Sequence, residues 1–404
     1  MAFRVAISGL KAASGELDVI GNNIANSNTA GFKKSRAEFV DVFAVSSVGG
    51  SGSTPGSGVR LSAIRQQFTQ GNIAFTDNNL DMAINGTGFF ILDDSGTQIY
   101  SRGGAFGVDR NGFLANAQGQ NLIAFGADAS GNITGAAGPI QVNTANIAPQ
   151  ASANMTVDLN LDAAQGVPAI GVFDATNPNS FNHSTSTTIF DSLGNSHLAS
   201  MYYVKTATAN QWESYTFVDG TQVDGPDTLT FSATGALTAP ASGVITTPSF
   251  TPTGGGAAMT LAQDYSATTQ YGSAFSVNAL AQDGFTTGRL SGLDIDSEGI
   301  IFARFTNGQS SVQGQIALAN FPNNQGLQPV SDTAWGETFS SGAVTIGAPG
   351  TASLGLLQAG ALEQSNTDLS EELVNMIIAQ RSFQANAEVI STADTVTQSI
   401  INLR

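Results

Sequence analysis

Apolar residues recur every seventh position at both ends of the chain. Near the start, Phe3, Leu10, Leu17 and Ile24 form one line, and Ala6, Ala13 and Ile20 follow three residues after its first three members. This is the spacing of a helix that packs on another helix, and the small residues on the second line permit close approach. It predicts a helix of about 25 residues, roughly 38 Å long. Asn26-Ser27-Asn28-Thr29-Ala30-Gly31 reads as its stop. Near the end, Leu362, Leu369, Met376, Phe383 and Ile390 repeat the interval, with Leu373, Ala387 and Ile401 on the companion line. Polar Gln380 and Asp394 interrupt that line. A helix from Leu369 to Leu403 follows, and Asp368 with Glu371 three later predicts a capping box at its start. All 12 prolines lie between Pro55 and Pro349, so neither terminal segment carries a helix breaker.

The middle of the chain changes period. Phe89-Phe90-Ile91-Leu92, the turn Asp93-Asp94-Ser95-Gly96, then Gln98-Ile99-Tyr100 predict short antiparallel strands from about Asn72 to Ala148. Gly284 to about Pro349 reads alike, with a hairpin turn at Asp296-Ser297-Glu298-Gly299. Between them lies a third β-rich region. Its clearest hairpin joins Thr187-Thr188-Ile189-Phe190 to Leu198–Val204, and Trp212, Tyr215 and Phe217 fall on a partner strand. Residues 49–58 are Gly, Ser, Thr and Pro only, a linker by composition. The fold class expected is therefore multidomain. Two nested, discontinuous all-β domains are joined to N- and C-terminal α-helices that form a coiled-coil-like assembly domain. The expected divisions are 1–71 with 357–404 (helical, with linker), 72–146 with 284–356 (inner β) and 147–283 (outer β).

Composition narrows the chemistry. Charged residues are 11% of 404, against roughly 25% in an ordinary soluble domain, and 31 acidic against 14 basic residues leave a net charge of −17. Between Asn111 and Gly288 the sole Lys or Arg is Lys205. A basic face for nucleic acid is thereby excluded. The absence of cysteine excludes disulfides and thiolate metal sites. No apolar run is long enough to span a bilayer, and the first residues lack the h-region of a cleaved signal. Asp294-x-Asp296-x-Glu298-Gly299 imitates the opening of a calcium loop, but Phe305 stands where its last ligand belongs, so a hairpin is the better reading. His183 and His197 have no nucleophile motif beside them and read as polar β-surface residues. No catalytic, cofactor or metal site is expected, and no enzyme activity.

Two segments carry a resemblance. Ser8-Gly9-Leu10 with Leu17–Lys33, including Asn22, Asn26, Thr29, Gly31 and Phe32, resembles the N-terminal signature of the bacterial flagellar rod and hook axial proteins. Leu373–Asn386, including Asn375, Gln380 and Arg381, resembles the matching C-terminal signature. Gly88-Phe89-Phe90, Tyr100-Ser101-Arg102, Gly104, Phe106 and Asp109 resemble the β-domain that this family shares. The central insertion, with Phe190–His197, is similar to the outer domain of the hook members rather than to the shorter distal-rod members; a distal-rod or hook–filament junction role is the alternative. Residues 49–58 depart from the pattern by their length.

The resemblance implies a mechanical subunit. It would leave the cell through the flagellar type III apparatus without a cleaved signal, and its terminal helices would order only on assembly. Copies would polymerise into a curved, flexible tube outside the cell that acts as a universal joint, passing motor torque to the filament. Phe3, Leu10, Leu17, Ile20, Ile24, Leu369, Leu373, Met376, Phe383 and Ile390 would form the assembly interface. Its partners would be copies of itself, the distal rod, the hook cap and the hook–filament junction proteins, with no membrane insertion and no cofactor.

Overall fold

The computed structural model describes residues 2–42, 56–128 and 130–402. Most of the linker at 49–58, up to residue 55, and the expected helix end at Leu403 lie outside the described residues. The chain is mostly β, with one long helix at each end: α1 (Ala2–Ala25) and α2 (Leu369–Asn402). It divides into two compact units, one from Met1–Thr144, Gly292–Arg304 and Ser310–Arg404, the other from Ala145–Ser291 and Phe305–Gln309.

In the first unit α1 leads into an antiparallel pair, β1 (Ser35–Asp41) and β2 (Val59–Gln66), whose two strands flank the linker. This pair was not anticipated, although Val59-Arg60-Leu61-Ser62-Ala63-Ile64 alternates as a strand should. The strand Phe89–Asp94 pairs with Thr97–Ser101 and with Asn121–Ala127, the last also pairing with Ser310–Ile316. Their shared core holds Phe89, Ile91, Tyr100, Ile123, Phe321, Leu327 and Trp335. Its rings meet edge to face, Phe89 at 5.6 Å and Phe68 at 5.4 Å from Trp335, a geometry that adds to the area they bury. Near the end of the chain, Leu356–Ala359 pairs with Met82–Asn85 and Ala361–Glu363 with Ile73–Phe75. These two ladders carry the C-terminal segment back to the exit of α1.

The second unit packs two sheets face to face. One runs Val244–Thr246, Ala262–Asp264, Asn154–Asn160, Ser276–Gln282; the other is the meander His183–Phe190, Ser196–Lys205, Gln211–Val218, Thr221–Phe231, Leu237–Ala239. The expected hairpin is there, with Phe190 opposite Ser196. Alternate residues of Ser196–Lys205 and Gln211–Val218 point inward, so Trp212 is buried among Met155, Leu159 and Tyr203. Tyr215 and Phe217 take the opposite face, where Phe173 stacks on Tyr215 at 4.0 Å.

His197 corrects the sequence reading. It shares the inward parity of Ala199, Met201 and Tyr203 and is only 5% exposed. Its Nδ1 lies 2.6 Å from Asp219 Oδ2, and its Nε2 faces Asp191 Oδ2 at 3.5 Å. Burial opposes the imidazolium, but the hydrogen bonds and charges of Asp219 and Asp191 outweigh it and hold the His197 pKa above its ordinary value. His183 is half-buried and stacks on Phe275 at 4.3 Å. Asp296 sits in the anticipated turn, its Oδ1 accepting the amides of Glu298 and Ile300, while Asp294 pairs with Arg304.

Candidate assembly surface

The two helices pack on one another within one chain, and α1 also rests on β1 and β2. Close approach is possible because α1 offers small residues: a Cβ at Gly9 would fall 2.4 Å from Asn386 Oδ1. The buried positions of α1 are Ala6, Ala12, Ala13, Val19, Ile20 and Asn23. The line of larger residues lies at the flank, with Leu10, Leu17 and Ile24 half-buried and Phe3 50% exposed. On α2 the stripe toward α1 passes through Glu372, Met376, Ala379, Phe383, Ala387 and Ile390. Leu369 and Leu373 are exposed, off that stripe. A strict seven-residue repeat drifts about 20° per heptad around a straight helix, so Leu369, three heptads before Ile390, has turned away.

α2 also carries a second apolar face. Leu373, Val374, Ile377 and Ile378 stand at i, i+1, i+4 and i+5, each about half exposed. Phe3 and Val5 on α1, and Val40, Leu61 and Ile64 on the β1–β2 pair, add exposed apolar surface nearby in the chain. A monomeric protein seldom leaves such runs uncovered.

The root of the helix pair is held by buried charge. Lys33 Nζ donates to Glu363 Oε1 at 2.6 Å and to the carbonyl of Thr69 at 2.8 Å. Arg102 Nη1 donates to Glu363 Oε2 at 3.1 Å and Nη2 to the carbonyl of Gly86 at 2.8 Å, with the Phe89 ring 5.4 Å from the guanidinium. The amide of Gly71 completes the shell of Glu363 Oε1 at 2.8 Å. Burial pulls the Lys33 and Arg102 pKa values down, and the Glu363 charge pushes back on both. Around this triad, Asn23 exchanges two hydrogen bonds with the backbone of Ser35, and Asn366 joins Lys34 N to the carbonyls of Gln67 and Thr69. Asparagine supplies a donor and an acceptor in one short side chain, which suits such clamps.

The signature residues divide between this root and the surface. Asn26 Nδ2 donates to the carbonyl of Asn22, Thr29 bonds Asn26, and the amide of Phe32 closes on Thr29, which together end α1. Gly31, at φ +72°, donates its amide to the carbonyl of Glu363 and lies against the backbone of Arg102 and Gly103. Asn375 is half-buried, while Gln380 and Arg381 are exposed. Asp368 caps α2 through the amides of Ser370 and Glu371, at 2.8 and 3.2 Å. The second half of the expected capping box is replaced, for the Glu371 carboxylate takes the Lys34 ammonium at 3.1 Å. Glu363 and Asn366 escaped the sequence reading.

Residues 3–33 match the family described as flagella basal body rod protein, and residues 358–403 the flagellar basal body rod FlgEFG protein C-terminal family. Residues 83–160 match the flagellar hook protein FlgE/F/G D1 domain, and residues 160–285 the flagellar basal body protein FlaE D2 domain. The chain is 40% identical over 415 residues to the flagellar hook protein FlgE of Escherichia coli K12 and 38% identical over 414 residues to that of Salmonella typhimurium, covering 100% of both chains in each case. The flagellar hook protein FlgE of Borreliella burgdorferi is 33% identical, with 98% of each chain covered. In fold, the chain resembles the crystal structure of the Helicobacter pylori flagellar hook protein FlgE2, at a TM-score of 0.53 and 14% identity, over 72% of this chain and 100% of that one.

Proposed function

The chain belongs to the flagellar hook protein family, and from that premise we propose how its structure serves assembly. It is a structural subunit of the hook. Copies add head to tail without closing, and so build a helical tube. The observation that carries this reading is the doubly apolar α2, with one face buried on α1 and the other, Leu373, Val374, Ile377 and Ile378, uncovered in the single chain. Burying the exposed halves of such side chains at about 25 cal/mol per Å² is a driving force that repeats with every added copy.

The assembly interface is Phe3, Leu10, Leu17, Ile20, Ile24, Leu369, Leu373, Met376, Phe383 and Ile390, the half-buried members completing their burial against neighbours. The divisions are the helices with their linker (1–71 with 357–404), an inner β domain (72–146 with 284–356) and an outer one (147–283). The polymer is a curved, flexible tube, a universal joint that carries torque to the filament. The scarcity of long charged side chains in the outer region supports it, because Thr, Ser, Asn and Gly contacts can slide. The subunit travels through the type III export apparatus and meets the distal rod, hook cap and hook–filament junction proteins outside the cell.

Deleting residues 1–30 or 370–404 tests the assembly reading by gel filtration and electron microscopy. The expected product is a soluble, β-rich monomer that makes no tubes. Tubes from either truncation, or loss of the β fold, would overturn it.

A further inference from the structure

The side chain of Glu372 is nearly enclosed, with its carboxylate at the wall of a cavity. The residue is only 4% exposed, yet its side chain has no hydrogen bond or ion pair among the described residues. It lines a cavity of about 310 Å3 bounded by α1, β1 and α2, together with Glu16, Lys34, Arg36, Glu371 and Asn375. The two cations there are already engaged, Lys34 with Glu371 at 3.1 Å and Arg36 with Glu38 at 3.2 Å. Glu372 sits in the first turn of α2. The helix dipole offers a carboxylate there about 0.3–1 kcal/mol, and no side chain among the described residues adds a hydrogen bond or ion pair to it. The three carboxylates on the cavity wall, Glu16, Glu371 and Glu372, outnumber its two cations, Lys34 and Arg36.

The same helix carries the complement. Arg381 is exposed and has no partner among the described residues. It follows Glu372 by nine residues, which places it on the opposite face of the helix and about 13.5 Å along it. The two side chains of one chain therefore cannot meet. We propose that Arg381 of a neighbouring copy enters this cavity and pairs with Glu372. Glu16 and Asn375 on the cavity wall supply further acceptors for the planar fork of a guanidinium. Each copy then presents a plug on one face of α2 and a socket on the other. Such a contact is heterologous and propagates instead of closing. This inference rests on the reading that copies of the chain polymerise.

The test is seeded polymerisation of the full chain, measured as the monomer concentration left at steady state. Arg381→Gln and Glu372→Gln are each expected to raise that concentration about tenfold or more, and the double variant no further than the worse single. Arg381→Lys should recover part of the loss, and Arg381→Glu should exceed it. Because Arg381 is exposed, its variants should keep the wild-type urea midpoint as monomers, so they carry the test if Glu372→Gln fails to fold. A bis-maleimide linker should join Glu372→Cys/Arg381→Cys copies into long ladders in tubes, in a chain with no cysteine of its own. An Arg381→Gln variant that polymerises like wild type would overturn the pairing, as would single effects that multiply in the double variant. A response to Glu372→Gln alone would overturn it too, because the socket then takes a different cation. Wild-type chain that never polymerises on seeds would overturn the assembly reading itself, a separate outcome.

Discussion

Lys33 Nζ and Glu363 Oε1 lie 2.6 Å apart with both side chains withdrawn from solvent, although 330 positions separate them in the chain. The contact fastens the exit of α1 to the segment that leads into α2. Burying ions is costly, and such a pair adds little net stability over an apolar replacement. What it does is exclude alternatives: any other register of the Ala361–Glu363 strand leaves Lys33 and Arg102 as buried, unpaired cations. The helix pair therefore starts from a root of defined geometry.

Removing the shared anion should be the most damaging change at this root. Glu363→Gln leaves two buried cations facing each other, and a loss of about 3–5 kcal/mol is expected. Lys33→Met should cost less, because Glu363 keeps Arg102 and the replacement is apolar. Urea denaturation followed by the fluorescence of Trp335, which lies in the same unit, ranks the two. Equal midpoints would remove the triad from any organising role.

Gly31 should not accept a side chain. Its φ of +72° already disfavours one, and a Cβ there would fall 2.4 Å from the backbone nitrogen of Gly103. Backbone cannot swing aside as a side chain can. Gly31→Ala is expected to destabilise the first unit by more than about 2 kcal/mol, and a urea midpoint within error of wild type would contradict the packing described.

The second unit should respond to pH through Asp227. Burial, and then the charge of nearby Asp224, push its pKa up to about 6. The unfolded value is near 3.9, so across roughly pH 4 to 6 the folded state binds more protons and stability falls as pH rises. Asp227→Asn is neutral throughout. It should therefore gain stability over wild type at pH 7, with the difference shrinking toward pH 4. The raised pKa of His197 gives stability that is present below about pH 6.5 and lost above it, equally in both proteins, and cancels in the comparison. The readout is the urea midpoint of Trp212 fluorescence in a Trp335→Phe background. A difference that does not vary with pH would remove Asp227 as its source.

Much of this was legible in the sequence, and the failures have physical causes. The helices and the Thr187–Val204 hairpin announced themselves because periods of 3.5 and 2 are local signals. Leu369 and Leu373 lie off the stripe that packs on α1 because a heptad line is straight only on a supercoiled helix, whereas here the stripe drifts. Glu371 looked like a capping-box partner, but Lys34 competes for it from a distant part of the chain. The pairing of Lys33 and Arg102 with Glu363 leaves no periodic signal, because charges 261 and 330 positions apart carry no shared period. Lys33 and Arg102 stand inside segments that carry the resemblance, whereas the trace of Glu363 is rarity: with 11% charged residues, a Glu ending the apolar run Leu356–Glu363 is a residue to question.

The uncovered face of α2 makes the sharpest separation between folding and assembly. Ile377 and Ile378 are 50% and 56% exposed, so Ile377→Asp/Ile378→Asp removes nothing from the core and adds charge only to solvated surface. Helix propensity changes by less than about 0.7 kcal/mol per site, and the monomer should unfold within a few tenths of a molar urea of wild type. In a polymer the same two carboxylates would be forced into a packed, apolar contact. Desolvating each without a partner costs more than the contact returns. Tubes should therefore be absent by electron microscopy at concentrations where wild type forms them, while the circular dichroism of the monomer is unchanged. If the double variant assembles normally, this face points to solvent in the polymer too, and Phe3, Leu10 and Leu17 on α1 would have to carry the contact.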